Sequence, residues 1–197
     1  MAFYEEGVSN SAAEGYDQKI VPWYFQHWAD QMAELAAPDP SDRVLDLACG
    51  SGLITRTLLP RLDADGRIHS VDLNAGMLAY ASSAVDDDRV TWHEADAGSL
   101  PLAGDSVDVA CCHQGFQFFP DKPAALSELR RVLRPGGRLV LGVWGPLDRN
   151  PLVASMHATF GPFLGDDVAA AMQGPCGFPD PAELSVLLDE AGFTGVQ

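Results

Sequence analysis

The sequence predicts an α/β fold with a doubly wound, mostly parallel sheet. Short apolar runs alternate with helical patterns from Arg43 to Trp144. This alternation indicates crossover connections, which join parallel strands and place helices on both faces of the sheet. The 197-residue length favours one domain, and 47% hydrophobic with 20% charged residues is ordinary for a globular protein.

The elements follow in order along the chain. Aromatic and apolar residues at helical spacing predict a helical segment over residues 11–37, which Pro38 and Pro40 end. Short apolar runs predict five strands, at residues 43–48, 67–71, 89–94, 107–112 and 138–144. Helical patterns predict helices at residues 53–62, 75–85, 122–133, 151–160 and 181–191. Pro135-Gly136-Gly137 ends the third of these helices, and we expect both glycines to adopt positive φ angles that reverse the chain.

The charge and the cysteine pattern exclude several classes of function. With 12 Lys+Arg against 28 Asp+Glu, the formal net charge is −16, and such a surface repels phosphate backbones, so we expect no nucleic-acid partner. The four cysteines and five histidines lack the spacing of a metal site or a disulfide framework, so no metal is predicted. No apolar run is long enough to cross a bilayer, and the N-terminal residues lack the basic-then-apolar order of a signal peptide. We therefore expect a cytoplasmic protein without a membrane partner.

The first motif, Asp46-Leu-Ala48-Cys-Gly50-Ser-Gly52, joins the first strand to a helix N-terminus. Gly50 and Gly52 let a ligand approach the backbone, and the helix N-terminus suits an anionic group such as a carboxylate. Asp46 suits a cationic group such as an ammonium. A plain tight turn is the alternative. The dinucleotide fingerprint requires a third glycine where Thr55 stands, and the lysine of a phosphate-binding loop is absent.

This motif resembles that of the class I S-adenosylmethionine-dependent methyltransferases, which have a Rossmann-like fold. Residues 111–121 and 129–144, the latter reading LRRVLRPGGRLVLGVW, resemble the branch found in ubiquinone and menaquinone biosynthesis. The resemblance covers about residues 16–144. It implies S-adenosyl-L-methionine as the cofactor, with its methionine part on the first motif, and O-, N- or C-methylation of a small-molecule acceptor.

The resemblance also implies an adenosine site at the ends of the second and third strands. Asp72 would accept hydrogen bonds from both ribose hydroxyls, as in other adenosine-binding α/β folds, and Leu73 and Met77 would flank the adenine. Asp96 would accept the adenine amino group, with the Ala97 N–H at a ring nitrogen. A turn or capping aspartate is the alternative at Asp72, and a turn aspartate is the alternative at Asp96.

The segment after the fourth strand supplies further candidates. His113 is a candidate general base because its unperturbed pKa of about 6.5 suits the task; a histidine that only shapes the pocket is the alternative. Gln114 and Gln117 could bind cofactor or acceptor. We place Gln117 and Cys112 among the cofactor contacts, and for Cys112 packing as a small hydrophobe is the alternative.

Ahead of the first strand lies a dense group of aromatic residues, which are Tyr16, Trp23, Tyr24, Phe25 and Trp28. Such a group on a helix is usually core. The resemblance implies in addition that this segment closes over the cofactor and that Tyr16 faces the sulfonium, a contact worth about 0.5–2 kcal/mol. With the segment after Trp144 it would form the pocket for an acceptor of aromatic or isoprenoid character.

These expectations divide one domain into three parts. Residues 1–42 form an N-terminal helical cap, residues 43–144 the Rossmann-like cofactor-binding core, and residues 145–197 a helical lid with the start of a truncated C-terminal part. The resembled family has seven strands; residues 191–197 look like the start of the sixth, and we expect strands six and seven to be missing. Either the C-terminus is missing or a second subunit, in a homodimer, covers the exposed edge.

Two other classes of function stay open at this point. The same fold could retain the cofactor without turnover, as a binding module or partner protein, because the motifs specify binding and not reaction. An NAD-dependent dehydrogenase is the second of these classes.

Overall fold

The computed structural model describes residues 9–164, 176 and 181–197, and it confirms the predicted α/β fold. The five strands of the sheet are β1 (Arg43–Leu47), β2 (Arg67–Asp72), β3 (Val90–Glu94), β4 (Val107–His113) and β5 (Leu133–Gly142). Their order is β3-β2-β1-β4-β5, and every neighbouring pair is parallel. The chain therefore changes direction across the sheet between β1 and β4, where open α/β sheets bind their ligands.

Helices cover both faces of this sheet. They are α1 (Asn10–Lys19), α2 (Gln26–Ala36), α3 (Leu53–Leu58), α4 (Ala75–Ala84), α5 (Lys122–Val132), α6 (Pro151–Leu164) and α7 (Pro181–Glu190). Short 3-10 helices span Leu59–Arg61, Phe116–Phe118 and Leu147–Arg149. None of the described helices is long and apolar enough to cross a membrane.

The single helical segment predicted for residues 11–37 is instead divided by a π-helix at Val21–Phe25. Its second residue, Pro22, has no backbone N–H and cannot donate the hydrogen bond that would continue α1. The wider π turn rotates the following residues, so that Val21 is buried while Trp23 is 89% exposed. The aromatic residues of this segment consequently point in different directions.

Alternate side chains of the strands enter two apolar clusters, one on each face of the sheet. On one face Leu45 and Leu47 of β1 pack with residues of α5. On the other face Val44 of β1 packs with residues of α2 and α3. Because both faces are covered, β1 and β4 are apolar at nearly every position, as expected for a parallel sheet.

The Pro-Gly-Gly segment differs from its predicted geometry. β5 begins at Leu133 and contains the segment, with a register irregularity against β4. Gly136 has a φ of 77°, whereas Gly137 has no positive φ. A Cβ at Gly137 would lie 3.0 Å from the carbonyl oxygen of Arg134 and 3.1 Å from that of Asp108. The expectation of two positive φ angles was wrong for Gly137, which is needed for close backbone approach.

In the described part of the chain the sheet ends at β5 on one side and β3 on the other. Residues 191–197 form a turn and irregular structure with no strand. They start no sixth strand in this structure.

Candidate functional site

A cavity of about 480 Å³ lies at the carboxyl ends of β1, β2 and β4. Its volume falls in the range typical of small-molecule sites. Most residues singled out from the sequence line it, namely Tyr16, Phe25, Asp46, Ala48, Gly50, Asp72, Leu73, Met77, Asp96, Ala97, His113 and Gln114. Parallel strands bring these residues together because their carboxyl ends meet at one edge of the sheet.

Asp46 places a buried carboxylate in the floor of the cavity. Its side chain is 1% exposed, and Oδ2 accepts hydrogen bonds from the Thr55 backbone N–H at 2.9 Å and from Thr55 Oγ1 at 2.7 Å. Oδ1 has no partner among the described residues. Burial raises the pKa of this carboxyl to about 7. A buried acceptor without a partner fits a cationic hydrogen-bond donor, such as the ammonium of an amino acid.

The loop after β1 leaves room above that carboxylate. Gly50 and Gly52 have φ angles of 54° and 80°, and a Cβ on Gly50 would meet no atom within 4 Å. Gly52 does not line the cavity; a Cβ there would lie 3.2 Å from the ring of Trp92, so this glycine allows close packing behind the loop. Ala48 also has a positive φ, of 57°, an unfavourable backbone conformation for alanine.

Asp72 fixes this loop and faces the same cavity. Its Oδ2 accepts the Gly50 N–H and its Oδ1 accepts the Asn74 N–H, both at 2.8 Å. Burial raises the pKa of this carboxyl. The Leu73 N–H also bonds to this carboxylate. Two carboxylate oxygens offer about four acceptor positions, so acceptor capacity remains for a ribose hydroxyl.

Asp96 lies at the rim of the cavity and also closes a turn. Its Oδ1 accepts the Gly98 N–H at 2.7 Å, and its carbonyl accepts the Ser99 N–H at 3.0 Å. The two interpretations considered for Asp96, a turn residue and a ligand contact, are therefore compatible. Ala97, next in the chain, also faces the cavity.

His113 and Gln114, at the end of β4, each have a buried polar atom that lacks a hydrogen-bond partner among the described residues. These atoms are His113 Nε2 and Gln114 Oε1. Burial lowers the pKa of His113 to about 4, so the imidazole is neutral near pH 7. Gln114 has a φ of 60°, a conformation rare for residues other than glycine and asparagine. Its N–H donates to the carbonyl of Gly142 on β5 at 2.7 Å.

Cys112 and Gln117 do not line the cavity, contrary to the predicted cofactor contacts. Cys112 is fully buried in the apolar cluster under α5, which agrees with its packing alternative. Gln117 is turned back on the chain, where its Nε2 donates to the carbonyl of Gln114 at 2.8 Å. Gln117 thus supports the turn that carries Gln114.

Aromatic rings form the wall opposite the first motif. Phe25 stands edge-on to His113, with ring centroids 6.2 Å apart, and edge-on to Trp144, at 6.1 Å. Tyr24 stacks on the outer part of this wall, 5.4 Å from the Trp144 ring. Tyr16 faces the cavity beside Phe25, at 5.7 Å. The sequence did not single out Trp144 for this wall; only its packing against the N-terminal segment shows it.

Comparisons with known proteins identify a family and several relatives that this chain resembles. Residues 45–141 match the family described as a methyltransferase domain. Over 142 residues the chain is 34% identical to a demethylmenaquinone methyltransferase of Lactiplantibacillus plantarum, covering 68% of this chain and 60% of that protein. The chain therefore spans less than two thirds of that relative's length.

A second relative covers more of the chain. The ubiquinone/menaquinone biosynthesis C-methyltransferase of Burkholderia mallei is 28% identical over 207 residues, which is 97% of this chain and 84% of that protein. Among solved structures, a SAM-dependent methyltransferase from Aquifex aeolicus superposes with a TM-score of 0.69 at 18% identity, covering 94% of this chain and 88% of that one. At this identity the superposition supports the fold.

Proposed function

The chain belongs to the class I S-adenosylmethionine-dependent methyltransferases, of the quinone-biosynthesis type, and we propose that it methylates a small-molecule acceptor. The observation that carries the proposal is the pairing of two carboxylates in one cavity. Asp46 presents a buried oxygen without a described partner, and Asp72 presents free acceptor positions at the adjacent strand end. These two groups suit the ammonium and the ribose of a nucleoside that carries an amino acid. The dehydrogenase alternative receives no support from the family.

The residues of the cavity fit the cofactor part by part. We assign Asp46 and the loop at Ala48 and Gly50 to the methionine part, and Asp72 to the ribose. When bound, the cofactor supplies a methyl group already activated by its sulfonium. The chain must then only align the acceptor and exclude water, which are positional contributions to catalysis.

Leu73, Met77, Asp96 and Ala97 would hold the adenine. Leu73 is exposed and Met77 half-buried, so they offer apolar atoms at the cavity rim. Asp96 keeps acceptor capacity beyond its bond to Gly98. Tyr16, on the opposite side of the cavity, would cover the methionine part.

The aromatic wall supports an acceptor with a flat apolar ring. Phe25 and Trp144 offer ring edges and faces, and His113 and Gln114 beside them offer buried polar atoms for a ring substituent. The names of the two relatives indicate that those proteins methylate demethylmenaquinone and act in quinone biosynthesis. We therefore propose an aromatic acceptor, with an isoprenoid chain as the first substituent to test.

Most described arginines are already ion-paired, which argues against a polynucleotide acceptor. Asp108 binds both Arg43 and Arg134, and Arg56 and Arg131 likewise pair with carboxylates. Such pairs leave little positive charge to bind phosphates.

The experiment that tests the proposal has two steps. Thermal shift with S-adenosylhomocysteine and with NAD tests the cofactor; stabilisation by NAD alone would overturn the assignment. Incubation with S-adenosylmethionine and aromatic acceptors, followed by mass spectrometry, tests the transfer. Binding of the cofactor without turnover of any acceptor would favour the non-catalytic module.

The affinity for S-adenosylhomocysteine should rise with pH between pH 6 and pH 8. Asp46 has a pKa of about 7 in the unliganded protein, and only its ionised form attracts the ligand ammonium. Protonation at low pH therefore competes with binding, and Kd should fall about tenfold from pH 6 to pH 8. Isothermal titration calorimetry in buffers of different ionisation enthalpy should show proton release at pH 6.

Asp46→Asn provides the matched control because the amide is similar in size and does not titrate in this range. Its affinity should be lower than that of the wild type and independent of pH. A wild-type Kd that is constant from pH 6 to pH 8 would contradict the assignment of Asp46 to the ammonium.

His113→Ala should lower kcat about 10–100-fold and leave the Kd of S-adenosylhomocysteine within about threefold, the effect of losing one buried hydrogen bond to the acceptor. We propose that His113 orients the acceptor, because a base with a pKa of about 4 lies far below the optimum for proton abstraction near pH 7. The pH profile of the wild-type kcat should therefore show no decrease from protonation of a histidine near pH 6.5.

His27→Ala is the control for this test, since His27 is exposed on α2 and bonds only Gln31 among the described contacts. Its kcat should be unchanged. A limb near pH 6.5 that disappears in His113→Ala would instead make His113 the general base.

A further inference from the structure

A single carboxylate joins the N-terminal helix to the floor of the cavity. Asp17 lies on α1, and its side chain is 14% exposed. Oδ1 accepts hydrogen bonds from Ser51 Oγ at 2.7 Å and from Arg56 Nη2 at 2.6 Å, and Oδ2 accepts the Tyr80 hydroxyl at 2.9 Å. Arg56 Nη1 also donates to the Ser51 carbonyl at 2.6 Å. No sequence pattern predicts this cluster, because Asp17 is far in the chain from Ser51, Arg56 and Tyr80.

The three partners of Asp17 all belong to elements around the proposed cofactor site. Ser51 lies between the two glycines of the first motif, and Arg56 is on α3, the helix that follows this motif. Tyr80 is on α4, which starts just after Asp72. The carboxylate therefore connects α1 to both segments that would hold the methionine part and the ribose.

The position of Asp17 on α1 relates this cluster to the cavity. Ala12 and Tyr16, one helical turn apart, face the cavity from above. Asp17 follows Tyr16 directly, so its bonds fix the rotation and height of the helix at that point. Among the side chains of residues 11–19, only that of Ala13 is buried. One buried methyl group contributes little to holding a helix. The half-buried Tyr16 adds packing against Phe25, and the polar cluster adds the three hydrogen bonds to Asp17.

We propose that Asp17 is a positioning residue that latches α1 over the bound cofactor and limits the rate at which the demethylated product, S-adenosylhomocysteine, leaves. This inference rests on the proposed function. A ligand lying on the first motif under Tyr16 must displace α1 to leave, and displacing α1 breaks three hydrogen bonds to a charged acceptor. Such bonds are stronger than those between neutral groups.

The test measures dissociation of S-adenosylhomocysteine by stopped-flow tryptophan fluorescence. Asp17→Asn should raise koff about 10–100-fold, as expected for weakened hydrogen bonds to a charged group. The rate constant of methyl transfer, measured in a single turnover, should change less. Tyr80→Phe, which removes only the bond to Oδ2, should give an intermediate increase. Glu14→Gln is the matched control: Glu14 lies on the same helix and accepts only Gln18 Nε2 in the described contacts, and its koff should stay within twofold of the wild type.

Hydrogen exchange separates a latch from a merely stabilising contact. In the wild type, S-adenosylhomocysteine should slow amide exchange in α1, and in Asp17→Asn it should not. Equal koff values and equal ligand protection of α1 in both proteins would overturn the latch even if Asp17→Asn melts at a lower temperature. Failure of the wild type to bind S-adenosylhomocysteine would overturn the proposed function together with the latch, so the two failures are distinguishable.

Discussion

Asp72→Ala is expected to raise the Kd of S-adenosylhomocysteine at least about 100-fold, because two hydrogen bonds from the ribose hydroxyls to a charged acceptor, at about 1.5–3 kcal/mol each, are lost. The substitution also removes the acceptor of the Gly50 and Asn74 N–H groups. The loop of the first motif should therefore become more mobile, which adds to the loss of affinity. Isothermal titration calorimetry at pH 8, where Asp46 is ionised, gives the comparison.

Asp87→Ala is the matched control for this substitution. The Asp87 carboxylate also accepts backbone and side-chain hydrogen bonds, all from Arg89, but it lies before β3 at the opposite end of the sheet. Its affinity for S-adenosylhomocysteine should equal that of the wild type. A Kd for Asp72→Ala within threefold of the wild type, in a variant that still unfolds cooperatively, would contradict the assignment of the ribose to Asp72.

The double role of Asp72 shows which part of the site a sequence can predict. A polar residue at the end of a buried strand is visible in the sequence, and Asp46, Asp72 and His113 were found in this way. The bond from Asp72 to Gly50 is not visible, since it joins residues from two different loops. A change at Asp72 thus affects ligand and loop together, whereas the sequence offered the ligand role and the turn role only as alternatives.

Cys112 and Gln117 were predicted as cofactor contacts but do not line the cavity, for two other reasons. Side chains alternate across a strand, but a sheet covered on both faces buries Cys111 and Cys112 equally. The sequence therefore contains no pattern that distinguishes a strand residue lining the cavity from one packed in the core. Gln117 lies in the 3-10 turn after β4, where the direction of a side chain depends on backbone angles that composition does not reveal.

Gln114 and Asp17 depend on tertiary contacts that no local pattern specifies. The positive φ of Gln114 accompanies the hydrogen bond of its N–H to Gly142 on β5. Asp17 gains its partners only when α1 lies across α3 and α4. In both cases the strands and helices were predictable, whereas the contacts between them were not.

The contact between Ala48 and Gly115 yields the largest expected effect on stability. A Cβ built on Gly115 would lie 2.4 Å from the Ala48 Cβ and 3.3 Å from Cys112 Sγ. Carbon atoms cannot approach to 2.4 Å, so Gly115→Ala must move either the first motif or the turn after β4. Overpacking of this kind costs about 1–3 kcal/mol or more, which lowers Tm by roughly 3–10 °C for a chain of this size.

The double variant Ala48→Gly/Gly115→Ala distinguishes this clash from a general loss of stability. Gly115 has a φ of −109° and a ψ of −37°, angles that alanine adopts readily, so removal of the Ala48 methyl should restore most of the Tm. Ala48→Gly alone should be nearly neutral: relief of the left-handed backbone strain, about 1–2 kcal/mol, opposes the greater entropy of glycine in the unfolded chain, about 0.5–1 kcal/mol. A double-mutant cycle measured by urea unfolding should therefore give a favourable coupling of at least about 1 kcal/mol. Additive effects of the two substitutions would mean that the two loops do not touch, and the positions of His113 and Gln114 beside the first motif would then have to be revised.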